Sequence, residues 1–222
     1  PVLAPGAVAS WLEQNVAPGS WVLDPMGVTP WLALEAARAG YRVLVCCNNP
    51  IIEFMLKVLA SAPQKKDFQG VISALLNSRR GDERLQIFLN NLYSTECAAC
   101  GQIISTDSYI WKRDMNLPMT RIYSCPNCGD EGERELMLRD EAVLSLERSD
   151  TLHRSRALQR ADPDTLDGRA GVQEALNSYL PRSLHFIFTL LNRIDLLGLP
   201  DTQRRLLQAV LLSACDDGST LW

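Results

Sequence analysis

Cys97-Ala98-Ala99-Cys100-Gly101 and Cys125-Pro126-Asn127-Cys128-Gly129 repeat one pattern, C-x-x-C-G, and 24 residues separate Cys100 from Cys125. No other feature limits the possible folds of this chain as much. Two residues between cysteines let both thiolates face one ion while the backbone turns tightly, and the glycine that follows permits the left-handed conformation such a turn needs. The interval is long enough for a β-hairpin. The pattern predicts a four-cysteine zinc ribbon with Cys97, Cys100, Cys125 and Cys128 as ligands. Four protein ligands leave no open position for water, so the zinc is expected to be structural and not catalytic. The alternatives are two disulfides or unrelated thiols. The chain has 222 residues and seven cysteines, longer and less cysteine-dense than secreted disulfide scaffolds, which favours metal binding in a reducing, cytoplasmic setting.

Around the ribbon the text changes character. An apolar-polar stretch from Val8 to Asn15 reads as a helix. Trp21 to Leu23 reads as a strand ending at Asp24-Pro25, Trp31 to Ala39 as a helix stopped by Gly40, and Tyr41 to Cys47 as a second strand closed by Asn48, Asn49 and Pro50. Strand, helix and strand in so short a span make a βαβ unit, which implies a parallel pair with a right-handed crossover. Ile51 to Leu59 predicts another helix. Leu75 to Tyr93 reads as helix interrupted by the polar run Asn77 to Glu83. Gln102 to Ser105, Ser108 to Lys112 and Thr120 to Tyr123 are short β-like pieces of the ribbon. Asp140 to Arg160 is charged with weak periodicity, and Asp162 to Gly171 reads as a polar connector. Ser183 to Leu197 and Thr202 to Cys215 carry apolar residues at helical spacing. The expected organisation is an α/β part over residues 1–93, a ribbon over 94–135 and a mainly helical segment over 136–222.

Composition supplies exclusions. At 46% hydrophobic and 22% charged, the chain can build a core and is not wholly disordered. A formal net charge of -4 argues against a generally basic nucleic-acid coat. No apolar run approaches the roughly 18 residues that a membrane span requires, so no membrane partner is expected. Within the ribbon, Lys112, Arg113 and Arg121 face Asp107 and Asp114; four thiolates and a zinc dication turn that balance negative, which does not by itself attract a polyanion. Trp111 beside Lys112 and Arg113 is a candidate for base stacking or for hairpin packing.

Val22-Leu23-Asp24-Pro25-Met26-Gly27, the helix Leu32 to Gly40 and the run Val43 to Pro50 together resemble the opening of class I S-adenosylmethionine-dependent DNA methyltransferases of the amino-methylating type. That family reads V-L-D-P-F-x-G-S-G-T, then a helix of the L-A-A-x-x-x-G kind, then a strand closing with an acidic residue and N-P. A subset carries an inserted zinc ribbon followed by helices similar to the run Ser183 to Ser213. The resemblance implies a partial Rossmann-like sheet, S-adenosylmethionine contacts at Asp24, Met26, Gly27 and Asn48, and methyl transfer to an exocyclic amine of a DNA base. The family's loop glycines fall at Val28 and Pro30 here, with Gly27 one place early, and its ribose-binding acid falls at Cys47. Its catalytic motif, Asp or Asn followed by Pro-Pro and an aromatic that stacks on a flipped base, is absent, since the chain contains no Pro-Pro. The polar connector Asp162-Pro163-Asp164 lacks the preceding strand and the aromatic needed to replace it. No catalytic residue is therefore assigned. With Pro1 in place of an initiator Met, the chain is expected to be the N-terminal portion of such an enzyme, inactive until joined by the remainder of the methyltransferase domain.

Other residues carry weaker signals. His153 and His185 have no cysteine or carboxylate at ligand spacing and read as packing residues. Cys46, Cys47 and Cys215 read as small apolar side chains. Arg154, Arg156 and Arg160, with Arg79, Arg80 and Arg84, form basic clusters that suit either solvated helix faces or DNA phosphates. The competing functional reading is a non-enzymatic module whose ribbon recognises nucleic acid or protein on a methyltransferase-like scaffold.

Overall fold

A computed structural model describes residues 4–112, 118–140, 151–161 and 166–218. The chain is a mixed α/β protein with small sheets. It divides into two compact units, one formed by Pro1–Gly70 with Pro200–Ala209 and the other by Val71–Leu199 with Val210–Trp222.

In the first unit, α1 (Ala7–Asn15) precedes β1 (Trp21–Asp24), α2 (Pro30–Arg38), β2 (Arg42–Val45) and α3 (Pro50–Ala60); α4 (Lys65–Asn77) follows, and from Val71 its residues belong to the second unit. The two short helices after the strands start where the sequence supplies caps. Thr29 Oγ1 accepts from Trp31 N at 3.4 Å ahead of Pro30, and Asn49 Oδ1 accepts from Ile51 N and Ile52 N at 2.9 and 3.4 Å ahead of Pro50. Proline fits the first helical position because its missing N–H has no helical partner there. Strands β1 and β2 pair in parallel, with Trp21 opposite Arg42 and Asp24 opposite Val45. Strand alternation sends Val22 and Val43 onto the cluster of Leu12, Ala36 and Tyr41, joined by Val8, Val16 and Ala39. It sends Trp21 and Leu23 of β1 and Leu44 of β2 to the other side, where they are 67%, 58% and 58% exposed. Among the described residues these two strands are the whole of the parallel sheet.

After the end of α4 the second unit continues with a hairpin, β3 (Arg79–Arg80) and β4 (Glu83–Arg84), where the polar run interrupts the helical text, followed by α5 (Leu85–Leu92). Next come β5 (Ser94–Glu96), β6 (Ile103–Ser105), β7 (Ser108–Ile110), β8 (Thr120–Ser124) and β9 (Glu131–Glu135). Strands β5 and β6 form one antiparallel hairpin, and β7, β8 and β9 form a three-stranded sheet in that order. The first and last strands of this set were not expected from the sequence: Ser-Thr-Glu and Glu-Gly-Glu-Arg-Glu carry no apolar alternation. Pairing with β6 and β8 makes them strands. The helical segment is α6 (Thr151–Ala161), α7 (Leu166–Asn177), α8 (Pro181–Leu196) and α9 (Asp201–Asp217), of which α9 belongs to this unit only from Val210. The polar connector expected over 162–171 is corrected in part: residues 162–165 lie outside the described set, and from Leu166 the chain is helical. Helix α8 is the most buried. Its Leu184 and Phe188 pack on Ala157 of α6, and its Arg182 guanidinium lies 4.6 Å from the Tyr109 ring and 5.3 Å from the Tyr93 ring.

Two polar arrangements inside this unit bear on its stability. Arg121 and Asp140 are both 0% exposed and approach to 3.1 Å. Arg121 Nε donates to Glu135 O at 3.0 Å and Nη1 to Glu96 O at 2.7 Å and to Thr95 Oγ1, while the Thr95 hydroxyl donates to Asp140 Oδ1 at 2.6 Å. The pair thus ties β5, β8 and the end of β9 to the helical turn at residues 138–140. The other arrangement is a histidine pair, His153 of α6 and His185 of α8, with ring centroids 4.8 Å apart and Phe88, Phe188 and Arg80 around them. Burial, then the neighbouring His153 and Arg80, lower His185 to about 4. Both histidines are packing residues, as the sequence suggested.

Removing one partner of a buried ion pair strands the other charge. Asp140→Ala is expected to cost about 3–5 kcal/mol in denaturant unfolding, with much of it recovered when Arg121→Met and Asp140→Leu are combined. His185 favours its neutral form in the folded state, so its contribution is complete above the ordinary value of 6.5 and is lost as pH falls toward about 4. Thermal unfolding between pH 7 and 4 should therefore show an acid destabilisation that His185→Phe reduces.

Candidate metal centre

Both knuckles sit at hairpin ends, and the backbone repeats itself closely at each. Cys97 N donates to Gln102 O at 2.9 Å and Gly101 N to Cys97 O at 2.9 Å; Cys125 N donates to Asp130 O at 2.8 Å and Gly129 N to Cys125 O at 3.0 Å. Gly101 and Gly129 have φ of 71° and 74°, the left-handed turn the pattern demanded. Strands β5 and β8 deliver Cys97 and Cys125 from inside the ribbon, so these two are buried, while Cys100 and Cys128 stand at its surface.

The four ligand sulfurs lie within 4.8 Å of one another. Cys97 Sγ is 3.6 Å from Cys128 Sγ, and Cys100 Sγ is 3.7 Å from Cys125 Sγ. Zinc–sulfur bonds of about 2.3 Å in a tetrahedron place sulfurs about 3.8 Å apart, whereas a disulfide needs about 2.05 Å. All four cysteines are free thiols. The arrangement is compatible with a bound metal such as zinc, and the all-thiolate donor set suits zinc or another thiophilic ion.

Electrostatics around the sulfurs are uneven. Burial opposes ionisation of Cys97, but the Cys100 and Ala99 N–H groups aimed at its sulfur outweigh that and hold the thiol at about 6. Cys100 is lowered, first by the Asn127 side-chain amide, whose Nδ2 donates to its sulfur at 3.6 Å. Cys128 receives the Asp130 N–H, yet burial and the crowd of neighbouring thiols push it up to about 12. Thiolates this close together repel one another. A divalent cation removes that repulsion.

The sequence did not signal the support around the ligands. Tyr123 donates its hydroxyl proton to Asp130 Oδ2 at 2.7 Å and accepts from Ala98 N at 2.9 Å. Asp130 also pairs with Arg134, which, with the Tyr123 hydroxyl, holds the carboxyl below its ordinary range. The available clue was positional: Asp130 occupies in the second knuckle the place that Gln102 occupies in the first.

The residues expected to contact S-adenosylmethionine lie in the other unit. Asp24 is buried at the carboxyl end of β1, and its Oδ1 accepts from Met26 N at 3.1 Å and Gly27 N at 3.0 Å. Its Oδ2 is buried with no partner. Gly27, at φ 49°, is held so tightly that an added Cβ would lie 2.5 Å from Cys46 O. The Cys47 thiol reaches Gly27 O at 3.5 Å and Asn49 O at 3.2 Å. Met26 and Asn48 are exposed. An ammonium group would find an acceptor in Asp24 Oδ2. A cofactor carboxylate would find the Met26 and Gly27 amides already engaged, and its ribose would find a thiol where the family places an acid. The fit is thus confined to one atom of Asp24.

The basic clusters are partly internal. Arg154 donates to Asn177 Oδ1 at 2.9 Å, and Arg160 to Asn192 and Asp195 at 2.9 and 2.8 Å. Glu131, Glu133 and Glu135 project from β9 and are exposed, which adds negative charge to the ribbon surface. Arg113 and Asp114 lie outside the described residues. No helix among the described residues is long and apolar enough to cross a membrane.

Cysteine thiols bind a metal as thiolates, so metal uptake must release protons. Titrating zinc into the chelator-treated chain at pH 7 with a pH indicator is expected to show proton release that saturates at one metal per chain, and the apparent affinity should weaken steadily from pH 8 to pH 6. Cys97→Ser is expected to lower affinity at least tenfold.

No family model, curated protein or solved structure matches the chain, and what this centre can do rests on its own geometry.

Proposed function

We propose that the chain is a portion of a cytoplasmic DNA methyltransferase, in which a structural zinc ribbon is joined to the first βαβ unit of a Rossmann-like sheet. The complete enzyme passes a methyl group from S-adenosylmethionine to an exocyclic base amine. The observation that carries this reading is Asp24 Oδ2, a buried acceptor without a partner at the carboxyl end of a parallel strand, the place where open α/β sheets hold ligands. Asp24 would hold the cofactor's ammonium group; Met26 and Gly27 form the turn after it, and Asn48 lies beyond the end of β2. A second observation supports the remainder of the domain as a partner. Parallel strands are normally covered on both faces, and the face bearing Trp21, Leu23 and Leu44 is open. In the absence of the Pro-Pro motif the chain does not methylate DNA alone.

A non-enzymatic reading competes on one observation: Met26 N and Gly27 N are already bonded to Asp24 Oδ1, and the turn has few groups left for a cofactor. In that case the ribbon serves as a protein-binding or DNA-binding module. Calorimetric titration of the zinc-loaded chain with S-adenosylmethionine separates the two. The methyltransferase reading expects saturable heat of binding that Asp24→Asn reduces roughly tenfold or more. No heat from a folded, zinc-loaded sample, together with DNA binding that weakens as salt rises, would establish the module instead.

A further inference from the structure

The two knuckles are separate loops on separate hairpins, and four sulfurs form one site only if those loops are held at a fixed separation. We propose that Tyr123 is the positioning residue that sets this separation, its hydroxyl bonding to both knuckles at once. The inference rests on the four cysteines holding a metal.

The hydroxyl stands between the loops. Its oxygen accepts from Ala98 N at 2.9 Å, inside the first knuckle, and its proton goes to Asp130 Oδ2 at 2.7 Å, beside the second. The ring is 1% exposed and packs in the same cluster as Cys97, Cys125 and Ile104. Strand β8 runs from Tyr123 into Cys125 two residues later, so moving the ring moves a ligand. The acceptor is fixed as well. Asp130 takes the Cys125 N–H on its backbone oxygen and pairs with Arg134 through Oδ1. Asn127 also crosses the site, to Cys100 Sγ, but at 3.6 Å and at the exposed rim. Gln102, the counterpart of Asp130, is exposed. The registration of the two loops thus depends on the second knuckle's carboxylate and on one phenol.

Partners that orient metal ligands without touching the metal commonly change affinity 10–100-fold when removed. Tyr123→Phe keeps the ring and removes both hydrogen bonds. Asp130→Ala removes the carboxylate that accepts from Tyr123, pairs with Arg134 and lies 3.9 Å from Cys97 Sγ, and leaves the bond from Ala98 N to the phenol. Each full-length variant would be compared with wild type by zinc competition against a chromogenic chelator and by the absorption spectrum of the cobalt(II) form. Tyr123→Phe is expected to bind zinc roughly 10–100-fold more weakly, with thiolate-to-cobalt charge transfer still showing four sulfurs but ligand-field bands shifted or broadened; Asp130→Ala should likewise weaken binding and shift the bands. Wild-type affinity and wild-type cobalt bands in Tyr123→Phe would overturn the proposal. Should that variant not fold, the same result in Asp130→Ala overturns it. Weakened binding with unchanged bands, matched by an equal loss of stability in the metal-free chain, would also overturn it, since the role would then be packing alone. Failure of the wild-type chain to take up metal is a different outcome, and removes the metal centre itself.

Discussion

Among the described residues the ribbon has little core apart from two of its candidate metal ligands. Its buried cluster contains Cys97, Ile104, Tyr123 and Cys125, and two of these are members of the four-sulfur group. A sheet this small cannot offset chain entropy by apolar burial, whereas structural zinc sites contribute on the order of 10–16 kcal/mol of apparent binding free energy. At Cys97 and Cys125 the packed side chains and the candidate ligands are the same groups. Everything that positions the ribbon follows from the requirement that four thiols meet: the left-handed glycines, the paired backbone bonds of each knuckle, and the phenol between them. The Arg121–Asp140 pair then fastens the finished ribbon to the chain that follows it.

This explains which parts of the structure could be read in advance. Glycines and cysteines at fixed spacing report local backbone geometry, and local geometry is all a knuckle needs. The helices read from Trp31 and Ile51 start one residue earlier, at Pro30 and Pro50, and their caps, Thr29 and Asn49, are contacts between near neighbours. Strands β5 and β9 were not readable, since Ser-Thr-Glu and Glu-Gly-Glu-Arg-Glu become strands only by pairing with partners distant in sequence. The same holds for Asp140, an ordinary acidic residue in a charged stretch until Arg121, nineteen positions earlier, is buried against it. Tyr123 reads in sequence as one more aromatic in a β-like run.

The βαβ unit shows the opposite limit. Its elements were legible, and its turn was not. A glycine after a strand suggests room for a ligand, but at Gly27 the space is filled by Cys46 O. The left-handed conformation serves to fold the turn back on β2, and the thiol of Cys47 joins the closure. What the turn leaves over is one carboxylate oxygen, which no pattern of residue types could have revealed.

The chain's sheets end in two very different ways. On β9 every second residue is a glutamate turned to solvent, and charged side chains on an outer strand keep other strands from adding to it. On β1 the corresponding outward residues are Trp21 and Leu23, and β2 is the strand that pairs with it. Self-association through the ribbon is therefore opposed by like charge, whereas β1 presents exposed apolar side chains beside the single guanidinium of Arg42 on β2. When this chain is concentrated or heated, aggregation should nucleate at that open strand, and a lysine in place of Leu23 is where a more soluble variant would begin.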